Sequence, residues 1–180
     1  MAVRNNGEVL PERTGKITLQ GNPLTLLGPE LKIGDAAPDV TLVNNELEPV
    51  ALSSYRGRIC IISTVPSLDT PVCDMETRRF NEEAGTLGDD VAIITVSMDL
   101  PFAQKRWCGA AGVENVVTLS DYSDRAFGRA YGVLIKELKL LARSVFVLDR
   151  EGIIRYIQLV SEVADEPDYQ AILEAVGKIN

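Results

Sequence analysis

Residues 58–65 form a near-continuous apolar run centred on Ile59-Cys60-Ile61-Ile62, which predicts a strand buried on both faces. Residues 91–96 repeat that pattern, and residues 40–43 and 116–119 predict two shorter strands. Residues 16–19 and 24–27 flank Gly21-Asn22-Pro23 and predict an N-terminal hairpin, with the proline weakening one edge. A second hairpin is expected where residues 144–148 and 153–159 flank Asp149-Arg150-Glu151-Gly152. Helices are predicted over residues 71–84, over 100–108 with Gly109 and Gly112 as stops, and over 124–131 with Gly132 as its end. The segment 167–178 predicts an amphipathic helix with Tyr169, Ile172, Leu173 and Val176 on one side. Strands and helices thus alternate before a closing hairpin and helix. That order predicts an α/β fold with a mixed sheet. It is compatible with a thioredoxin-like fold, and several other α/β folds fit it equally. No repeat, low-complexity segment or linker divides the 180 residues, so a single domain spanning residues 1–180 is expected.

Composition narrows the chemistry. The net charge of −8 argues against nucleic acid and against anionic membrane surfaces as partners. No stretch approaches the roughly 18 consecutive apolar residues of a membrane span. The polar start of the chain lacks a signal-peptide pattern, so a cytoplasmic protein is expected. Histidine is absent, which excludes Ser-His and Cys-His catalytic pairs and every histidine metal or haem ligand. The three cysteines, Cys60, Cys73 and Cys108, are too scattered for an ordinary zinc site.

The informative segment is Pro66-Ser67-Leu68-Asp69-Thr70-Pro71-Val72-Cys73-Asp74. Thr70 suits an N-cap and Pro71 the first helical position, which puts Cys73 at the third. A capping box would carry Glu or Gln there, close to unpaired backbone N–H groups. A sulfur stands in that place, and the positive end of the helix favours it as thiolate. The same amides, with the Thr70 hydroxyl, are placed to polarise a peroxide oxygen. Asp74 opposes the thiolate, so a further cation is expected nearby. Read from the residues alone, Cys73 is either an activated nucleophile or an inert apolar filler beside a capped helix.

Pro66, Thr70 and Cys73 match the P-x-x-x-T-x-x-C signature of peroxiredoxins. The stretch around them resembles the bacterial thiol peroxidases, the atypical two-cysteine branch. The likeness extends to residues 34–38, to Asp99-Leu100-Pro101-Phe102-Ala103-Gln104 with Cys108-Gly109, to Ala142-Arg143-Ser144 and to Glu166-Pro167-Asp168-Tyr169. This resemblance implies a thioredoxin-like fold with an N-terminal β-hairpin and a thiol-dependent peroxidase. It implies Cys73 as the peroxidatic cysteine, Thr70 as its hydrogen-bond partner, Pro66 as its shield from water and Arg143 as the active-site cation. Cys108 would resolve the Cys73 sulfenic acid as an intramolecular disulfide, and thioredoxin would reduce it. Hydrogen peroxide and alkyl hydroperoxides are the implied substrates, a homodimer the implied assembly, and no metal, haem or flavin is called for.

Cys108, expected at the end of its helix before Gly109, lies where carbonyl dipoles disfavour a thiolate. Cys73 is therefore expected to be the more acidic thiol and Cys108 to attack only after oxidation. Cysteines on two helices often exceed the roughly 7 Å Cα separation that a disulfide tolerates, so a helix end is expected to unwind. Cys60, inside the apolar strand, reads as core. Trp107 reads as packing or as a docking residue, Phe102 and Tyr131 as the wall of an apolar pocket or a subunit contact, and residues 121–125 as a solvated turn. Two rival functions remain on the residues: a thiol–disulfide oxidoreductase or redox sensor, against which stands the missing C-x-x-C pair, and a thioredoxin-like binding module with an unreactive Cys73.

Overall fold

The protein was analysed as a computed structural model that describes residues 4–5 and 8–179. Its first half contains strands β1 (Arg4–Asn5), β2 (Glu8–Val9), β3 (Glu12–Leu19), β4 (Asn22–Leu27), β5 (Thr41–Val43), β6 (Pro49–Ala51) and β7 (Ile59–Thr64), with a short 3-10 helix over Leu52–Tyr55. Helix α1 (Pro71–Leu87), β8 (Val91–Ser97), α2 (Pro101–Ala111), β9 (Val117–Ser120) and α3 (Ala126–Ala130) follow. The chain closes with β10 (Leu134–Ile135), β11 (Ser144–Leu148), β12 (Ile154–Leu159) and α4 (Tyr169–Gly177).

The main sheet has seven strands in the order β12-β11-β7-β8-β9-β5-β6. Strands β7, β8 and β9 are parallel, while β11, β12, β5 and β6 join antiparallel, so the sheet is mixed as expected. Alternation along β7 explains its unbroken apolar sequence. Ile59 and Ile61 face a core shared with Phe80 of α1 and with Ile172 and Val176 of α4. Cys60 and Ile62 face the opposite core, filled by Ile17, Leu24 and Leu26 of the N-terminal hairpin and by Phe127 and Tyr131. The predicted hairpin is therefore real, and it gains a third strand, β10, which the sequence pattern did not mark.

Other departures have local causes. Helix α2 runs through Gly109 and ends at Ala111, because its stop signal is Gly112, which takes the left-handed conformation (φ 64°) and donates its N–H to the Cys108 carbonyl. Cys108 thus lies inside the last turn rather than at the helix end. The predicted third helix shrinks to Ala126–Ala130 because Arg125 is left-handed (φ 53°). Residues 121–125 are not simply a solvated turn. Asp121 is buried, and its carboxylate accepts from the backbone N–H groups of Phe127 (3.0 Å) and Gly128 (2.8 Å). Burial pushes the pKa of that carboxyl up to about 6.

Candidate active site

Helix α1 buries Cys73, Glu76, Thr77 and Phe80, which are spaced i, i+3, i+4 and i+7 and form one stripe facing the sheet. Pro71 is its first residue, so Cys73 stands at the third position, as expected. Thr70 is the N-cap residue by position, but its side chain does not cap the helix. Its hydroxyl lies 2.7 Å from Cys73 Sγ and 2.9 Å from the Ser67 carbonyl. The Cys73 side chain is fully buried beneath Val65, Leu68 and Trp107, and Pro66 is buried next to them.

Sheet register brings the cation. Ser144 at the start of β11 pairs with Thr64 at the end of β7, so Arg143 reaches the segment that leads into α1. The Thr64 hydroxyl fastens this junction by contacts to the Ala142 carbonyl (2.7 Å) and the Ser144 hydroxyl (2.6 Å). Arg143 is only 1% exposed, which excludes a surface role at a strand edge. One terminal guanidinium nitrogen lies 3.2 Å from Cys73 Sγ, the other binds Glu76, and Nε donates to the Val163 carbonyl at 3.1 Å.

Glu76 was not singled out by the sequence. Its carboxylate accepts from Arg143 and from the Ser63 hydroxyl, and its side chain is fully buried. Burial pushes the Glu76 pKa up, and the Arg143 charge and the Ser63 hydrogen bond oppose that push. Burial also works against the Arg143 charge, but Glu76 and Cys73 outweigh it and raise the Arg143 pKa. We take the guanidinium as charged, because it has two partners that favour the cation. The available signal was the i, i+3 spacing from Cys73, which puts Glu76 on the same helix face.

Asp74, expected to oppose a thiolate, has cationic and N–H partners of its own. One carboxylate oxygen accepts from Arg78 Nε and the other from the Trp107 indole N–H, each at 2.9 Å. Trp107 is therefore both packing and a tie between α1 and α2. Beside Cys73, a cavity of about 320 Å³ is lined by Leu68, Asp69, Thr70, Pro71, Asp74 and Trp107. A larger one of about 710 Å³ lies between the β11–β12 hairpin and α4, and no cysteine lines it.

All three cysteines are free thiols. The Cys108 sulfur is half-buried and lies 3.5 Å from the Thr118 hydroxyl of β9, a different neighbourhood from that of Cys73. Cys60 is buried, and burial pushes its pKa up to about 11. Phe102 and Tyr131 do not share a wall. Phe102 is 66% exposed on α2, whereas Tyr131 is buried and stacks on Phe127 at 3.9 Å between ring centroids. Among the described residues, no group of three or more acidic or cysteine side chains is placed to hold a metal ion. No described helix is long and apolar enough to cross a membrane.

Comparison with known proteins gives a consistent result. The Redoxin family pattern matches residues 32–173. The chain is 56% identical to a protein named thiol peroxidase from Bacillus subtilis (strain 168) over 160 residues, which is 89% of this chain and 95% of that one. It is 53% identical to a thiol peroxidase of Listeria innocua over 163 residues, 91% of this chain and 98% of the other. The crystal structure of a peroxiredoxin-like protein from Aquifex aeolicus superimposes with a TM-score of 0.86 at 43% identity, covering 93% of this chain and 99% of that one. A thiol peroxidase from Chromobacterium violaceum, at 22% identity and a TM-score of 0.81, shares the fold over 90% of this chain and 95% of its own.

Proposed function

The chain belongs to the Redoxin family, has a thioredoxin-like fold and is a thiol-dependent peroxidase of the peroxiredoxin type, and from that premise we propose that Cys73 is its peroxidatic residue and Cys108 its resolving one. The observation that carries this reading is the Cys73 sulfur held between the Thr70 hydroxyl at 2.7 Å and the Arg143 guanidinium at 3.2 Å. Both donors are within hydrogen-bond reach of the sulfur that would act, as thiolate, as the nucleophile. The first-turn amides of α1, left without a side-chain cap, add the positive end of a helix.

The thiolate attacks one peroxide oxygen, the O–O bond breaks, and the departing oxygen takes a proton to leave as water or an alcohol. Sulfur is oxidised by two electrons and becomes a sulfenic acid. Arg143 commits three contacts to Glu76, Cys73 and Val163, and a guanidinium carries five N–H donors, so it retains donors for the peroxide. Glu76 and the Val163 carbonyl keep its plane from turning. Pro66 and Leu68 keep bulk water from the sulfur. Cys108 then condenses with the sulfenic acid, releasing water and forming the Cys73–Cys108 disulfide. A thioredoxin dithiol returns both thiols by exchange. Because the two sulfurs have separate neighbours in the reduced protein, a helix end unwinds in this step.

This reading includes hydrogen peroxide and organic hydroperoxides as substrates, a homodimer of single-domain chains, a cytoplasmic site of action and no bound cofactor. The test is peroxide consumption with thioredoxin as reductant. Cys73→Ser is expected to lose activity. Cys108→Ser is expected to complete one turnover and then fail to recycle, and Cys60→Ser to behave like wild type. Retained turnover in Cys73→Ser would refute the assignment.

A further inference from the structure

We propose that Asp99 is a positioning residue that sets the balance between the folded Cys73 segment, able to attack peroxide, and the unwound segment, able to reach Cys108. The proposal rests on the Cys73–Cys108 disulfide being part of the cycle.

Asp99 lies between the end of β8 and the start of α2, the helix that carries Cys108. Its carboxylate would serve α2 if it capped that helix. Leu100 is the N-cap instead, with no side-chain cap bond, and the Asp99 carboxylate faces the loop before α1. One oxygen accepts from the Ser67 hydroxyl at 2.7 Å, and the other from the Leu68 backbone N–H and the Ser97 hydroxyl, each at 2.8 Å. Such charge-assisted bonds are short and stronger than neutral ones.

The carboxylate is itself braced. The Ser97 hydroxyl also accepts from the Asp99 N–H (3.2 Å) and from Gln104 Nε2 (3.0 Å). Gln104 is fully buried on α2 and holds the Leu119 carbonyl as well, while Ser120 donates to the Asp99 carbonyl. Strands β8 and β9 and helix α2 therefore fix Asp99, and Asp99 fixes Ser67 and Leu68.

The consequence reaches Cys73 through one turn. The Ser67 carbonyl accepts from the Thr70 N–H (3.1 Å) and the Thr70 hydroxyl (2.9 Å). A hydroxyl has one proton, so the Ser67 carbonyl and the Cys73 sulfur compete for it. The direction of that carbonyl, set by Asp99, decides how far Thr70 serves the sulfur. Unwinding the start of α1 requires the same turn to leave the same carboxylate.

Asp99→Asn keeps the shape but replaces an acceptor oxygen with an NH₂ group, which cannot accept from these donors. Ser67→Ala removes the hydroxyl that donates to Asp99 and accepts from the Asp69 N–H (3.2 Å), leaves the carboxylate in place, and carries the test should Asp99→Asn not fold. Rapid mixing of the reduced proteins with hydrogen peroxide separates a peroxide-dependent oxidation rate from a peroxide-independent rate of disulfide formation. Mass spectrometry then gives the sulfinic acid fraction. In both variants the first rate is expected to fall by about tenfold and the second to rise several-fold, with less sulfinic acid, as loss of a charge-assisted bond implies. A general structural defect would slow both steps. Rates that move together, or that stay at wild-type values while wild type forms the disulfide, overturn this proposal alone. Absence of the disulfide in wild type would overturn it together with the cysteine pairing.

Discussion

The indole N–H of Trp107 donates to the Asp74 carboxylate at 2.9 Å, which ties the residue before Cys108 to the residue after Cys73. Arg78 tightens the tie: it donates to Asp74 and to the Ala111 carbonyl at 2.9 Å each, and its guanidinium lies 5.8 Å from the centre of the Trp107 ring. The first turn of α1 and the last turn of α2 are thus strapped together in the reduced protein. If the two sulfurs join as proposed, this strap is expected to rearrange. Trp107 is the single tryptophan of the chain, so its emission reports the change directly. We expect one equivalent of hydrogen peroxide to shift that emission, dithiothreitol to restore it, and Cys108→Ser to abolish the disulfide-linked phase. Identical spectra for the reduced and disulfide forms would contradict the expected unwinding.

The Glu76–Arg143 pair makes a different prediction. Removing one partner of a buried ion pair strands the other charge, at a cost of about 3–5 kcal/mol. Glu76→Ala is therefore expected to lower the unfolding free energy by about that amount in a denaturant titration. Glu76→Gln keeps the volume and a carbonyl acceptor, and should fold. It leaves Arg143 less firmly held against Cys73, so kcat/KM for peroxide should fall by about tenfold to a hundredfold. A Gln variant of wild-type activity would remove Glu76 from the positioning of Arg143.

Asp121 gives the fold a pH dependence of its own. Its ordinary pKa of 3.8 rises to about 6 in the folded protein, mainly because it is buried. The native state then holds the proton more tightly than the unfolded state. Its contribution is fully present below pH ~4 and is lost as the pH rises through about 6, by up to ~3 kcal/mol. The unfolding free energy of wild type minus that of Asp121→Asn should decline between those limits. A flat or rising difference would show that Asp121 does not titrate there.

Cys60 should be the last thiol to react. It is 4% exposed and burial pushes its pKa up to about 11, so little thiolate forms near neutrality. Iodoacetamide at pH 7.5 should leave Cys60 unmodified in the native protein and label it once the chain is unfolded in guanidinium. Peptide mapping distinguishes it from Cys73 and Cys108.

The sequence by itself determined what depends on neighbours along the chain. Thr70-Pro71 opens α1 and puts Cys73 at its third position, the apolar run at 59–62 makes a doubly buried strand, and Asp149-Arg150-Glu151-Gly152 turns a hairpin. Arg143 was legible only through family resemblance, since nothing in Ala142-Arg143-Ser144 marks a guanidinium that will be 1% exposed. Tertiary structure alone decided that the β7–β11 register delivers Arg143 to Cys73, that Glu76 and the Val163 carbonyl orient it, and that Asp99 holds the loop before α1. It also decided that the Asp74 carboxylate accepts from Trp107 and Arg78. The physical reason is that helix caps and turns are set within a few bonds. A buried charge finds its partner only when strands far apart in sequence align, and no periodicity records which side chains will then meet.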